Sequence, residues 1–349
     1  MHEFQSVKVN IMNLFVVDTD IAYFNDDAIA LLMLAACGKF PIAVTTVAGN
    51  LTPVLSAKLA LYLYSLLGCN HIPVVPGAAK PLAHKRMPYY SSLHGYWDTN
   101  IINSPVDQFP ISITDRDEKA HHYIVRLAKK HPGLDLLCLG PLTNIALALK
   151  LEPKLPSMLG RVVIMGGALL DQFPFRGNVT PKAEFNFWVD PDAAHTVLNS
   201  DLKCELITLN VCTGFFFDKN IASGWLCRND SLGEAFRNAF NEIFQKTPHF
   251  AIPMYDQIAA ASLLRPEHFT WEYKNITVVR DLDENQGFCI TNSTSSLTSY
   301  GNNDDKCSYK NSCFTSGRVA VATNVNHNLL RNFLVELTLK NPIIPNKNS

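Results

Sequence analysis

The sequence is poor in charge: 17% of its 349 residues are Asp, Glu, Lys or Arg, with 30 basic against 31 acidic and no basic block among them. Such a chain lacks the electrostatic footprint needed to grip a phosphate backbone, so nucleic acid is not an expected partner. It also lacks a membrane segment: its longest apolar run, Ala28 to Cys37, is about half of the ~20 residues a spanning helix requires. The opening MHEFQSVKVN holds an acid and several polar residues where a signal peptide carries a basic patch and an apolar run, which implies a cytoplasmic protein. The 9 cysteines form no CxxC pair and have no zinc-ligand spacing. They read as reduced core thiols, with a candidate reactive pair in Cys307 and Cys313. Triplets such as Asn229-Asp230-Ser231 and Asn275-Ile276-Thr277 read as chance, since glycosylation needs a secretory route.

What is abundant is apolar surface: 47% of the residues are hydrophobic, including 20 Phe and 11 Tyr, enough for a large core. Short β-branched runs that end in polar residues or Gly alternate with longer helical patterns. NLFVVDTD is followed by DDAIALLMLAAC, then IAVTTVAGN and a helical stretch from Pro53 to Leu67. LDLLCLG, RVVIMGG and CELITLN continue the rhythm, with helices at Pro141 to Lys150 and Asp190 to Leu198. This order predicts an α/β fold, a single domain over residues 13–340 with a mostly parallel, Rossmann-like open sheet flanked by helices. Asn292 to Ser316, rich in Ser, Asn, Thr and Asp, reads as a long surface loop, after which RVAVATNV reads as a strand and a closing helix runs to about Lys340.

Ligands of such sheets bind beyond the C-terminal ends of the strands, where this chain places Asp18, Asp20, Asn50, Gly140, Gly166 and Asn210. The strongest signal is VVDTDIAYFNDD, with Asp18, Asp20, Asp26 and Asp27 at a strand end and a helix start. One of these acids alone would be a helix cap. Four within ten residues repel one another unless a cation or sugar hydroxyls satisfy them, and hard oxygen ligands favour Ca²⁺ or Mg²⁺ over zinc. In GNVTPKAEFNFWVDPDAA, a strand-like reading puts Glu184 and Asn186 on one face, near Asn178, as groups suited to gripping hydroxyls. Asp190 and Pro191 read as the cap and first turn of a helix.

These residues resemble the inosine-uridine-preferring nucleoside hydrolases. The hallmark D-x-D followed by D-D is similar to Asp18-Thr19-Asp20 and Asp26-Asp27. The resemblance continues through VAGN (Val47 to Asn50), LHG (Leu93 to Gly95), LGPLTNIALAL (Leu139 to Leu149), MGGA (Met165 to Ala168), NVTPKAEFN and MYDQIAAA (Met254 to Ala261). It implies hydrolysis of the N-glycosidic bond of ribonucleosides, with Ca²⁺ held by Asp20, Asp27, Asp256 and the Leu139 carbonyl. It also implies that Asp20 is the base that takes a proton from the metal-bound water. Asp26, Asn50, Asn186 and Asp256 would hold the 2′ and 3′ hydroxyls, Asn178 and Glu184 the 5′ hydroxyl, and Met165 would pack near the sugar. His94 is similar to a family histidine near the base. Relatives commonly form dimers or tetramers, so the resemblance implies a homo-oligomer.

The chain departs from the family pattern twice. The loop Ile21 to Asn25 is longer than usual, and the expectation is that it bulges outward and leaves the metal site intact. Tyr255 stands where many members have a histidine, so Tyr255 and Trp97 are expected to form an aromatic slot that favours purines. Two other readings stay open here. An apolar strand followed by D-x-D also opens haloacid-dehalogenase-like phosphohydrolases, and the altered loop would suit a nucleoside-binding relative without catalysis.

Overall fold

Three successive residues of the first strand face two different cores. Phe15 and Val17 pack on one side of the sheet and Val16 on the other, and the same alternation recurs in Leu137 against Leu136 and Val163 against Val162. A strand whose two faces are both buried reads as an unbroken apolar run, which is why these segments look alike in sequence. The computed structural model describes residues 13–82, 118–172, 176–247, 249–281, 284–291 and 318–339.

In chain order the first elements are β1 (Phe15–Thr19), α1 (Asp26–Ala36), β2 (Ala43–Thr46), α2 (Pro53–Leu66), β3 (Val74–Pro76), α3 (Ala120–Lys130), β4 (Leu134–Cys138), α4 (Thr143–Leu151), α5 (Leu155–Met158) and β5 (Leu159–Met165). There follow α6 (Phe185–Val189), α7 (Pro191–Leu198), β6 (Lys203–Ile207), α8 (Leu209–Cys212), β7 (Phe216–Asp218), α9 (Lys219–Leu226), α10 (Ser231–Lys246) and β8 (Ala251–Pro253). The last are α11 (Tyr255–Leu264), β9 (Phe269–Val278), β10 (Cys289–Thr291), β11 (Arg318–Val325) and α12 (His327–Leu339).

The described strands build a sheet in the order β10-β9-β11-β6-β5-β4-β1-β2-β3. From β3 to β11 neighbouring strands run parallel, while β9 lies antiparallel to β11 and β10 antiparallel to β9. The expected mostly parallel sheet, covered by helices on both faces, is what forms. The strand order reverses between β1 and β4, whose registers pair Asp18 with Cys138. A parallel sheet opens a crevice at such a switch point, because the helices that follow the two strands leave on opposite faces. Asp18, Asp20, Leu139 and Gly140 therefore meet there.

Between β6 and α11 the chain makes an excursion that the apolar runs did not announce. β7 and β8 pair as a two-stranded antiparallel sheet, and α9 and α10 lie between them in sequence. Phe236 and Phe240 of α10 are buried with Phe217 and Trp225 in one aromatic cluster. No described helix is long and apolar enough to cross a membrane. Cys69, Cys138, Cys204, Cys212 and Cys289 are free, buried thiols as expected, while Cys227 is exposed. The pair Cys307 and Cys313 and the polar stretch 292–316 lie outside the described residues.

Candidate functional site

The acids of the first motif are delivered by two elements. Asp18 and Thr19 end β1, Asp20 follows it, and Asp26 and Asp27 open α1. The cap of α1 is neither acid but Asn25, whose Oδ1 accepts from the Ala28 and Ala22 backbone amides while its Nδ2 donates to Asp27 at 2.8 Å. An Asn directly before two acids that open an apolar helical run is itself an N-cap signal, and weight given to the acids hid it. Capping by Asn25 leaves both carboxylates in the first turn, where the helix dipole favours negative charge.

The loop that joins the two groups corrects an expectation. Ile21, Ala22, Tyr23, Phe24 and Asn25 are all buried instead of bulging outward. Two apolar residues and two aromatics cannot be left in water at low cost, so the loop folds in against α2 and α10. Phe24 has a φ of 50°, a left-handed conformation that is an outlier for a bulky side chain.

Asp20 is buried and its Oδ2 accepts from the Asn50 backbone amide at 2.6 Å. Two motif glycines make room for it. A Cβ at Gly49 would lie 2.1 Å from Oδ2, and one at Gly140 would lie 2.8 Å from Oδ1. Asp256, in the first turn of α11, closes the site from the opposite side and shares a hydrogen bond with Asp27. Oxygens of Asp26, Asp27 and Asp256 all lie within 4.8 Å of one another, a geometry that could hold a metal ion. Asp26 thus stands in the trio where the sequence suggested Asp20, although Asp20 remains close enough for its charge to act on Asp256.

Electrostatics tell the same story. Burial pushes the Asp20 carboxyl well above its ordinary range, and the Asp27 charge adds to it. Asp256 is pushed well up by burial and then by Asp27, Asp26 and Asp20. Asp27 is also raised by burial, against hydrogen bonds from Thr19 and Asn25, and half-buried Asp26 is raised to about 8 by burial and then Asp27. Two carboxyls in mutual hydrogen-bond contact need either a shared proton or a cation between them. The donor set is hard oxygen throughout, so the residues present fit a divalent cation of the Ca²⁺ or Mg²⁺ type.

Asp18, the remaining acid of the motif, is held through one oxygen, while its buried Oδ2 has no partner among the described residues. Its Oδ1 accepts from Thr45 Oγ1 at 2.5 Å and Asn144 Nδ2 at 2.8 Å, and burial lifts it to about 7 against those bonds. Asn144 also donates to the Thr46 carbonyl and accepts from the Ala78 amide, so one buried network ties together β1, β2 and α4 beneath the site. Sequence reasoning missed Asn144 because it sits in the TNIALAL helix pattern as an ordinary early helical position.

The second motif arrives in a form the sequence did not suggest. Glu184 and Asn186 are not alternate residues of a strand; Glu184 caps α6 and Asn186 lies in its first turn. Glu184 Oε1 accepts from the Asn186 amide at 2.7 Å, and Oε2 accepts from the Gly167 and Phe187 amides at 2.9 and 3.1 Å. Burial raises it to about 7 in spite of those three donors. Asn186 Nδ2 donates to the Leu139 carbonyl at 2.8 Å and to the Met165 carbonyl at 3.2 Å, joining the ends of β4 and β5. Asn178 is exposed, with its Oδ1 taken by the Phe185 amide. Asn210, in the short α8 that follows β6, ties down Leu169 and Gln172 through its amide.

Tyr255 opens α11 beside Asp256 and is partly buried, its phenol pushed up to about 12 by burial and then by Asp26. Of the residues singled out from the sequence, Asp20, Asp26, Asp27, Asn50, Leu139, Met165, Glu184, Asn186, Tyr255 and Asp256 are gathered at these strand and helix ends. His94 and Trp97 lie outside the described residues.

The family model of the inosine-uridine preferring nucleoside hydrolases matches residues 15–331. The pyrimidine-specific ribonucleoside hydrolase of Shewanella oneidensis is 36% identical over 252 residues, covering 70% of this chain and 76% of that protein. The probable uridine nucleosidase 2 of Oryza sativa subsp. japonica is 31% identical over 283 residues, covering 78% of this chain and 79% of that protein. Among solved structures, an inosine-guanosine nucleoside hydrolase superposes with a TM-score of 0.75 at 22% identity, covering 94% of this chain and 99% of that one. The purine-preferring ribonucleoside hydrolase of Gardnerella vaginalis gives 0.73 at 24% identity, covering 93% and 98%. At such identities the structural likeness speaks for the fold. The match along the chain removes the haloacid-dehalogenase-like alternative, and the chain belongs to the inosine-uridine preferring nucleoside hydrolase family, whose members hydrolyse the N-glycosyl bond of ribonucleosides.

Proposed function

We propose that this hydrolase splits ribonucleosides, purine ribosides in preference to pyrimidine ones, into ribose and free base at the β1/β4 crevice. The observation that carries the reaction is the cluster of Asp26, Asp27 and Asp256, with Asp20 close enough for its charge to act on Asp256, at the switch of the sheet. Cleavage builds positive charge on the ribose ring, and carboxylates fixed around it stabilise that charge more in the transition state than in the ground state. Ca²⁺ held by Asp20, Asp27, Asp256 and the Leu139 carbonyl would supply the charge that keeps these acids ionised and acidifies the attacking water. Asp20, anchored on the Asn50 amide, takes the proton from that water. Asp26, Asn50, Asn186 and Asp256 hold the 2′ and 3′ hydroxyls. Asn186 has its Oδ1 available for this, since its Nδ2 is committed to Leu139 and Met165. Asn178, with a free amide nitrogen, and Glu184, with one remaining acceptor site, take the 5′ hydroxyl. Met165 lies against the sugar, His94 stands near the base, and the enzyme works in the cytoplasm as a homo-oligomer.

The purine preference rests on Tyr255. A phenol pushed up to about 12 is a poor proton donor at neutral pH, so its ring, with Trp97, serves to stack a leaving purine whose own ring nitrogen takes up the proton. The relatives described by name divide on this point, with uridine and pyrimidine enzymes among the sequence matches and purine enzymes among the structures. Steady-state kinetics on inosine and uridine, with a nitrophenyl riboside as the substrate whose leaving group needs no help, decide it. Inosine should show the higher kcat/KM, and Tyr255→Ala should lower turnover on inosine more than on the nitrophenyl riboside. Equal losses, or a clear preference for uridine, overturn the stacking role.

A further inference from the structure

We infer that Phe24 is a positioning residue for the acid pair Asp26 and Asp27, seated by α10 so that the loop from Ile21 to Asn25 delivers both carboxylates to the site. This rests on the reading of that pair as ligands of cation and sugar. The Phe24 ring meets Phe236 at 5.3 Å and Phe240 at 6.2 Å between centroids, both edge-on, and the Tyr23 ring at 5.0 Å on its own loop. Tyr23 in turn lies over Tyr62 of α2 at 6.4 Å. The loop is thereby pinned between α2 on one side and α10 on the other.

What the pin controls is one residue away. Phe24 holds the left-handed φ of 50°, which a bulky residue keeps only where its surroundings impose it. That turn of the backbone aims Asn25, whose side chain caps α1, bonds back to the Ala22 amide and donates to the Asp27 carboxylate. A continuous path therefore runs from α10 through Phe24 and Asn25 to Asp27. A phenylalanine serving only as filler would need neither the strained backbone nor a neighbour that binds the acid.

The test compares Phe24→Gly with Phe244→Leu. Glycine accepts the φ without strain but has no ring for α10 to hold. Phe244 belongs to the same aromatic cluster, stacked on Phe240, with no ring contact to Phe24. Both variants should melt earlier than the parent. Calorimetric titration with Ca²⁺ alone should show about tenfold or more weaker binding for Phe24→Gly, the scale expected when support of a metal ligand is lost. The KM for inosine should rise in parallel, with kcat less affected, whereas Phe244→Leu keeps both values. Should Phe24→Gly fail to fold, Phe236→Leu removes the pin from the other side and is read in the same way. If the parent protein itself binds no Ca²⁺, the cation reading fails, and the KM comparison alone decides the positioning role. Parental Ca²⁺ affinity and KM in a folded Phe24→Gly, or equal losses in Phe244→Leu, overturn it.

Discussion

Glu184 has a carboxylate that accepts from three backbone amides, those of Gly167, Asn186 and Phe187, so its geometry is set by the main chain of two segments. Replacing one oxygen by an NH₂ sets a donor against a donor in a buried place. Glu184→Gln should therefore lose roughly 1–3 kcal/mol of stability in denaturant unfolding. The variant also tests where a proton is held. Because burial raises this carboxyl from its ordinary 4.5 to about 7, the folded state binds the proton more tightly than the unfolded state. The group's favourable contribution is complete below its unfolded value, declines as pH rises towards 7, and is absent above that. The slope of stability against pH between about 4.5 and 7 should thus be shallower in Glu184→Gln than in the parent. Identical slopes would mean that Glu184 carries no raised proton. In the sequence this residue was visible as an acid near Asn186, but not as a cap, because EFNFW alternates like a strand and only tertiary contacts make it a short helix.

At the scale of elements, Asp190 joins three pieces of chain. Its Oδ1 caps α7 through the Ala193 amide, and its Oδ2 accepts from Thr143 at the start of α4 and from the Leu82 amide. Removing it leaves a hydroxyl and two amides without their acceptor. Asp190→Ala should cost roughly 2–5 kcal/mol, the sum of a lost cap and buried groups left unpaired, as read from denaturant unfolding. A loss below about 0.5 kcal/mol, the size of an ordinary surface change, would show that the junction is dispensable. The helix itself was legible, since Asp-Pro before an apolar run is a start signal that depends only on neighbours. β1, β2, β4, β5 and β6 were legible for the same reason, their runs being short, β-branched and bounded by polar residues. β9 was not: FTWEYKNITV is polar at many positions because much of it lies near the sheet edge. The α9–α10 excursion escaped because a pair of three-residue strands carries no period to read. The loop Ile21 to Asn25 was misjudged because the residues that bury it, on α2 and α10, are distant in sequence.

The whole molecule is organised around a fault line. β1 and β4 open the crevice, α1 brings Asp26 and Asp27 from one side, and α11 brings Asp256 from the other. These acids raise one another's proton affinity, and in the absence of a cation that repulsion is borne by the contacts between α1 and α11. A cation that binds the folded site and not the unfolded chain stabilises the fold by mass action, about 2.7 kcal/mol at a hundred times its dissociation constant. Calorimetric melting in excess Ca²⁺ should therefore occur several degrees above melting in chelator. Asp20→Ala deletes one proposed ligand together with the proposed base. It should retain the chelator melting temperature to within a few degrees, gain much less from Ca²⁺, and release no ribose from inosine. The two readouts separate the roles: a variant that regains calcium stabilisation but stays inactive would assign Asp20 to the proton alone. A parent protein that melts at the same temperature in chelator and in Ca²⁺ would remove the cation from the site and leave the crevice acids to be held by protons.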